Sequence, residues 1–133
     1  MSPDILRGTR RVALVCAMLA ACGCGSAYSP AAHRVDPERA RQTLEAVLES
    51  WKAGATPDSW QQQTPAVVVQ DLDWKGGVKL TEFEIIGTEA VDANLHCQTS
   101  LTMTDLQQKT IERTVTYLVG TSPTLTVFRA PGL

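Results

Sequence analysis

The chain has 133 residues, of which 44% are hydrophobic and 20% are charged, so its length and composition fit one small globular domain. Twelve Lys and Arg residues against fourteen Asp and Glu residues give a formal net charge of -2. This balance excludes the electrostatic basis for binding nucleic acid, and we expect no nucleic-acid partner.

The first 21 residues differ in character from the rest of the chain. Arg7, Arg10 and Arg11 precede an uncharged apolar run at residues 12–21. A basic region, an apolar stretch of about 7–15 residues and small residues at its end are the pattern of a secretory signal. The run is too short to cross a bilayer core, which needs about 20 residues. We therefore interpret residues 1–21 as an export signal that is removed.

The apolar run ends in Leu19-Ala20-Ala21-Cys22, which resembles the lipobox of bacterial lipoproteins. The resemblance implies that the Cys22 thiol carries a diacylglycerol, that the chain is cut before Cys22, and that the new amino group receives a fatty acid such as palmitate. Two or three acyl chains anchor a protein stably to a membrane. Gly23 stands where an inner-membrane retention signal would have Asp, so the resemblance implies the outer membrane if the host has one.

The segment after the apolar run leaves two alternatives open and then leads into the domain. A plain signal peptide cut near Gly25 or Ala27 is one alternative, and lipidation of Cys24 is the other. Residues 22–35 are rich in small residues and lack a sustained period, which predicts a flexible tether. Residues 36–133 are then expected to form a single domain.

A long amphipathic helix is predicted at the start of the domain. Asp36 is a capping residue, and Pro37 suits the first helical position. Gly54 is the residue that ends the helix. The apolar residues at helical spacing are Ala40, Leu44, Val47, Leu48 and Trp51. Because one such stripe has to be buried against something, we expect the helix to pack on a sheet.

The remainder of the chain predicts four or five strands. The predicted strands are residues 66–74, 78–86, 91–104, 110–119 and 125–128. Strict alternation of apolar and polar residues in the third is typical of a half-solvated antiparallel strand. The expected fold class is α+β, with one long amphipathic helix packed on a curved, four- to five-strand antiparallel sheet.

The order of these elements over residues 36–129 resembles the cystatin-like folds and, more loosely, the nuclear-transport-factor-two-like cone. The first resemblance implies a helix lying across a sheet in two layers, and the second implies a cavity. Residues 51–57 and 114–123 are also similar to stretches of small uncharacterised bacterial proteins. That family has no assigned activity, so this similarity implies no function.

Three aspartates are candidate catalytic residues. Asp71 and Asp73 share a face of the first predicted strand, and Asp92 lies on another strand. Two carboxylates on facing strands can form an acid–base pair. In cone-shaped enzymes resembling ketosteroid isomerase, a strand aspartate takes a proton from the substrate. The other interpretation is a solvated sheet face beside a turn.

No metal or cofactor site is predicted. His33 lies in the tether, and His96 and Cys97 point to opposite faces of their strand, so they cannot hold one ion together. Cys97 is interpreted as a small buried hydrophobic residue, with pairing to Cys24 in an oxidising compartment as the alternative.

Two tryptophans and the edges of the sheet are candidate contact points. Trp60 and Trp74 flank the connection into the sheet, where they either fill the core or line an exposed contact surface. An unpaired sheet edge can accept an added strand, and residues 120–123 interrupt the last strands. We expect a non-enzymatic, membrane-anchored lipoprotein that binds a protein, peptide or polymer of the cell envelope. The alternatives are an isomerase- or lyase-like enzyme and a structural or assembly accessory.

Overall fold

The computed structural model describes residues 34–132, which form an α+β domain with one five-stranded mixed sheet. The elements are α1 (Pro37–Lys52), a 3-10 helix (Pro57–Gln62), β1 (Val67–Gln70), α2 (Leu72–Lys75), β2 (Lys79–Val91), β3 (Asn94–Thr104), β4 (Thr110–Gly120) and β5 (Leu125–Arg129). The predicted export signal, the lipidation site Cys22, the alternative site Cys24 and the tether as far as His33 lie outside the described residues.

Helix α1 begins where the sequence predicts. The Asp36 carboxylate accepts a hydrogen bond from the Arg39 backbone N–H at 3.1 Å, and Pro37 is the first helical residue. All five residues of the predicted stripe are buried. Through this stripe α1 contacts β2, β3, β4 and β5, and so covers one face of the sheet. Between residues 34 and 132 no helix is long and apolar enough to cross a membrane.

The strand order is β1-β5-β4-β3-β2. Each neighbouring pair from β2 to β5 is antiparallel, as expected. Strand β1 instead runs parallel to β5, with Val67 beside Leu125 and Gln70 beside Phe128. The prediction of an antiparallel-only sheet is therefore wrong at this edge. Its physical cause is the connection after β1, which carries the chain from one edge of the sheet to β2 at the opposite edge.

The short helix α2, which follows β1, differs from the expectation of one long helix packed on the sheet. The 3-10 helix that precedes β1 agrees with a short helical turn that the sequence predicts from Pro57 through the three glutamines at residues 61–63. The predicted strand at residues 66–74 ends at Gln70, because the Asp71 side chain caps α2 and turns the chain out of the strand direction.

The core lies between α1 and the sheet. Alternation along β3 buries Cys97 completely and leaves His96 half-buried on the opposite face, as predicted. Cys97 is a free thiol, and its burial raises its pKa from 9.0 to about 11. The interpretation of Cys97 as a small core residue is thus confirmed.

The tryptophans extend this core at one end of α1. The rings of Trp51 and Trp74 are stacked, with centroids 5.2 Å apart and planes 9° apart. Trp74 is 6% exposed and its indole N–H donates to the Ala55 carbonyl at 2.8 Å. The half-buried Trp60 donates to Ser50 Oγ at 2.7 Å. Trp74 therefore fills the core and offers no exposed contact surface, which leaves only part of Trp60 accessible.

The folded domain begins before the α1 cap. Val35 is buried, and its N–H donates to the Asp92 carbonyl at 3.1 Å. The Asp36 N–H donates to Thr121 Oγ1 at 3.0 Å. Val35, which the sequence placed in the tether, is therefore part of the domain, and the chain enters the fold at the end of the sheet that holds the β2–β3 turn.

Candidate functional site

A buried polar cluster lies where β1 ends. Asp71 directly follows β1, Arg129 is the last residue of β5, and Tyr117 lies opposite Arg129 on β4. Parallel pairing of β1 with β5 brings Asp71 beside Arg129. The three side chains therefore meet across three neighbouring strands, on the face of the sheet that α1 covers.

The Asp71 carboxylate accepts four hydrogen bonds. Its Oδ2 accepts from the Tyr117 hydroxyl at 2.5 Å. Its Oδ1 accepts from Arg129 Nη1 at 3.1 Å and from the backbone N–H groups of Asp73 and Trp74 at 3.0 and 3.2 Å. The residue is 4% exposed. These donors cap α2 and tie it to β4 and β5 through one carboxylate.

Asp73 extends the cluster to the protein surface. Its Oδ2 accepts a hydrogen bond from Arg129 Nη1 at 2.5 Å and lies 3.6 Å from Arg113 Nη1. The side chain of Arg129 is 14% exposed, whereas those of Asp73 and Arg113 are 27% and 54% exposed. Two carboxylates and two guanidinium groups thus balance in charge, with Arg113 the member most open to solvent.

Burial governs the protonation of this cluster. Desolvation, followed by the adjacent Asp71 carboxylate, raises the pKa of Tyr117 far above its ordinary 10.0. Burial lowers the pKa of Arg129, but the carboxylates of Asp71 and Asp73 outweigh it and the net shift is upward. Tyr117 therefore stays a neutral donor, and Arg129 stays a cation.

The structure brings together only two of the three candidate aspartates. Asp71 and Asp73 lie together, but as the cap and first turn of α2 and not on a strand face. Asp92 lies in the turn between β2 and β3, at the other edge of the sheet, with a φ of 52°. The predicted pair of carboxylates on facing strands is therefore wrong, because α2 interrupts the first strand before Asp73.

Sequence reasoning missed the partners of Asp71. Tyr117 lies two residues before the buried Val119 on β4, so alternation points its side chain inward, and a buried tyrosine hydroxyl needs a hydrogen-bond partner. Arg129 lies two residues after Val127, which is fully buried, so alternation points its side chain inward as well. A charged residue at an inward position of a strand is a signal that an oppositely charged partner is needed.

An open groove of about 1240 Å³ adjoins the cluster. Four consecutive residues of β4, numbers 113–116, line it together with Asp73 and Arg129. Successive residues of a strand face opposite sides of the sheet. A groove that touches all four must therefore run beside the edge of β4, and does not lie on one face alone.

His96 also lines this groove, from the face opposite α1. Over residues 34–132, no three His, Cys, Asp or Glu side chains are grouped so that they could hold a metal ion.

No family model, curated protein or solved structure matches the chain. The geometry of the cluster and the groove is therefore what supports a functional proposal.

Proposed function

We propose that this protein is an exported lipoprotein, held to a membrane by acylated Cys22, whose domain is a non-enzymatic module that binds a protein or peptide of the cell envelope. The observation that carries the proposal is the groove beside the edge of β4, lined by residues 113–116 and open to solvent. An accessible strand edge offers backbone hydrogen bonds to an incoming chain.

The polar cluster supports binding over catalysis. A general base has to present an acceptor within hydrogen-bond reach of the proton it removes. Both oxygens of Asp71 are occupied by donors from the protein itself, and the residue is buried. Asp73 is held by Arg129. These contacts suit a group that fixes α2 against the sheet, and they favour a binding module over an isomerase or lyase.

We also propose that the domain is cystatin-like in its layout. Helix α1 lies across four consecutive strands, β2 to β5, whose neighbours are all antiparallel. The parallel strand β1 and the short helix α2 are additions to this arrangement.

The attachment of the tether leaves the groove accessible. The chain enters the fold through Val35, beside Asp92 and near Gly120 at the end of β4. Arg113 lies seven residues before Gly120, which along a strand is roughly 20 Å away. A tether of about twelve residues reaches on the order of 20 Å from the membrane. The groove would therefore lie on the part of the domain farther from the anchor.

The lipid anchor is tested by replacing Cys22 and Cys24 with alanine, one at a time. We expect Cys22→Ala to lose labelling by a palmitate analogue and to leave the membrane fraction. The matched control Cys24→Ala keeps both properties. Labelling of Cys22→Ala at the level of the unaltered chain would contradict the assignment.

The binding role is tested by a photocrosslinking amino acid placed either at Thr114 in the groove or at Gln42 on the exposed face of α1. In intact cells we expect a discrete, protease-sensitive adduct from position 114 and none from position 42. Adducts of the same size from both positions, or none from position 114, would count against a binding groove.

A further inference from the structure

We infer that the edge of β4 at residues 110–114, of which residues 113 and 114 line the groove, accepts an extended peptide as an added β-strand, and that this peptide carries an acidic residue followed directly by a basic one. The inference rests on the binding function proposed above and specifies the chemistry of the partner.

Strand β4 extends well beyond its neighbour β5. Pairing with β5 covers only residues 117–120 of β4, and one further bond runs from the Ala130 N–H to the Thr116 carbonyl at 2.8 Å. On the other side, β3 pairs with all of β4 from Thr110 to Gly120. Residues 110–115 are therefore held in an extended conformation by β3 and have no strand partner on their opposite side, where residues 113–115 line the groove.

The hydrogen-bonding direction of each residue in this segment follows from alternation. In an antiparallel ladder, a residue directs both its N–H and its carbonyl to the same neighbouring strand, and the next residue directs them to the other. Because Thr116 bonds to Ala130, the even-numbered residues of β4 face the β5 side. The backbone groups of Glu112 and Thr114 therefore point away from β3 along the unpaired edge, and Thr114 lines the groove. No backbone bond found in turns, loops or caps of residues 34–132 engages them.

The other two edges of the sheet are less available. Strand β1 has four residues, and the 3-10 helix lies against it. Strand β2 has two register shifts and carries exposed glutamates at positions 82, 84 and 89. Bulges and charges along an edge discourage pairing with another chain. The segment at residues 110–114 lacks a bulge, and an added strand would lie beside it next to residues 130–132, which follow β5 and also line the groove.

Charge disfavours a second copy of this chain as the occupant. Antiparallel pairing of two such edges must match even-numbered residues with even-numbered ones. Centring the pair on residue 112 places Glu112 opposite Glu112, and centring it on residue 113 places Arg113 opposite Arg113. Centring it on residue 111 places Arg113 opposite Lys109. Like charges directly opposite each other destabilise a strand pair. The occupant is therefore a different chain.

The same charges define what that chain should contain. A strand antiparallel to β4 places an acidic residue opposite Arg113 and, as its next residue, a basic one opposite Glu112. The contact between Arg113 Nη1 and Asp73 Oδ2 is long, at 3.6 Å, and the Arg113 side chain is 54% exposed. The guanidinium group can therefore turn from Asp73 to a peptide carboxylate. The residue after the basic one falls opposite the half-buried Ile111, where an apolar side chain fits.

The probe is a short synthetic peptide, acetyl-Thr-Thr-Glu-Lys-Val-Thr-amide, with its Lys-Glu counterpart as the matched control. Amide hydrogen exchange is followed by NMR on the full chain in detergent. We expect the Glu-Lys peptide to slow exchange at Glu112 and Thr114, and to leave the Arg113 amide, which already bonds to β3, unchanged. The Lys-Glu peptide should bind about fivefold more weakly.

Two proline variants separate pairing from misfolding, and a double charge variant tests the charge order. Thr114→Pro removes an N–H that the ladder does not use, and we expect it to fold and to lose the peptide. Thr88→Pro makes the same change at an outward amide of the β2 edge and keeps the peptide. The double variant Glu112→Lys, Arg113→Glu should bind the Lys-Glu peptide better than the Glu-Lys peptide.

The outcomes distinguish this inference from the function on which it rests. Equal binding of the two peptides, or binding without protection of Glu112 and Thr114, overturns strand addition with the stated charge order. If position 114 still gives its photo-adduct, the binding function stands while the inference fails. If neither the adduct nor peptide binding is observed, both fail together.

Discussion

The Tyr117 hydroxyl donates a 2.5 Å hydrogen bond to the Asp71 carboxylate. Strand β5 lies between β4, which carries Tyr117, and β1, which Asp71 directly follows. Tyr117 is 1% exposed and Asp71 is 4% exposed, so neither group can exchange this partner for bulk water. Arg129 on β5 binds the same carboxylate at 3.1 Å. One buried carboxylate thus joins β1, β4, β5 and the start of α2.

Replacing Tyr117 with Phe should destabilise the fold by about 1–3 kcal/mol, because the buried Asp71 Oδ2 loses its donor and water cannot reach it. Urea unfolding followed by tryptophan fluorescence measures the change. Thr116→Val, at the adjacent position on the opposite face, is the control and should change the free energy of unfolding by less than about 0.5 kcal/mol. Equal effects of the two variants would show that the hydrogen bond between Tyr117 and Asp71 does not contribute to the free energy of unfolding.

Stability should fall as the pH rises above 9. Burial raises the folded-state pKa of Cys97 from 9.0 to about 11 and raises that of Tyr117 above its ordinary 10.0. In this range the unfolded chain binds fewer protons than the folded one, so raising the pH favours unfolding. Each group contributes a slope of up to about 1.4 kcal/mol per pH unit: Cys97 between pH 9 and 11, and Tyr117 from pH 10 upward.

Urea unfolding at a series of pH values separates the two contributions. Cys97→Ala should flatten the decline between pH 9 and 11, and Tyr117→Phe should flatten it above pH 10. A Tyr117→Phe chain that loses stability above pH 10 as steeply as the unaltered chain would contradict the assignment of that slope to Tyr117.

Local patterns predicted the parts of the fold that depend on local spacing. The stripe on α1 and the alternation that buries Cys97 are examples, because spacing within one element decides which side chains face the core.

The site at Asp71 could not be predicted in this way. The alternation from Val67 to Asp73 fits a continuing strand as well as a strand followed by a capped helix. What decides between them is Arg129, 58 residues later, and the parallel pairing that brings it beside Asp71. A contact between residues so far apart leaves no periodic pattern in the sequence. The sequence alone therefore could not rule out the interpretation of carboxylates on facing strands.

Neutralising the two clustered aspartates should have unequal effects. Asp71→Asn leaves the buried Arg129 with one carboxylate in place of two, and we expect a loss of about 2–3 kcal/mol in the free energy of unfolding. Asp73→Asn removes a carboxylate whose side chain is 27% exposed, and the loss should be about 1 kcal/mol or less. Urea unfolding of both variants at pH 7 compares them. A larger loss from Asp73→Asn would show that Asp73, and not the buried Asp71, is the main partner of Arg129.

The thiol of Cys97 should be inert in the folded protein. It is fully buried, and its raised pKa of about 11 leaves almost no thiolate at pH 8, whereas the thiolate is the form that reacts with iodoacetamide. Mass spectrometry of the peptide that contains Cys97 measures its alkylation, which should be at least about 100-fold slower without urea than in a denaturing concentration of urea. Asp71→Asn, which weakens the sheet nearby, should speed alkylation in buffer. Labelling of Cys97 in buffer as fast as in urea would contradict the packed core.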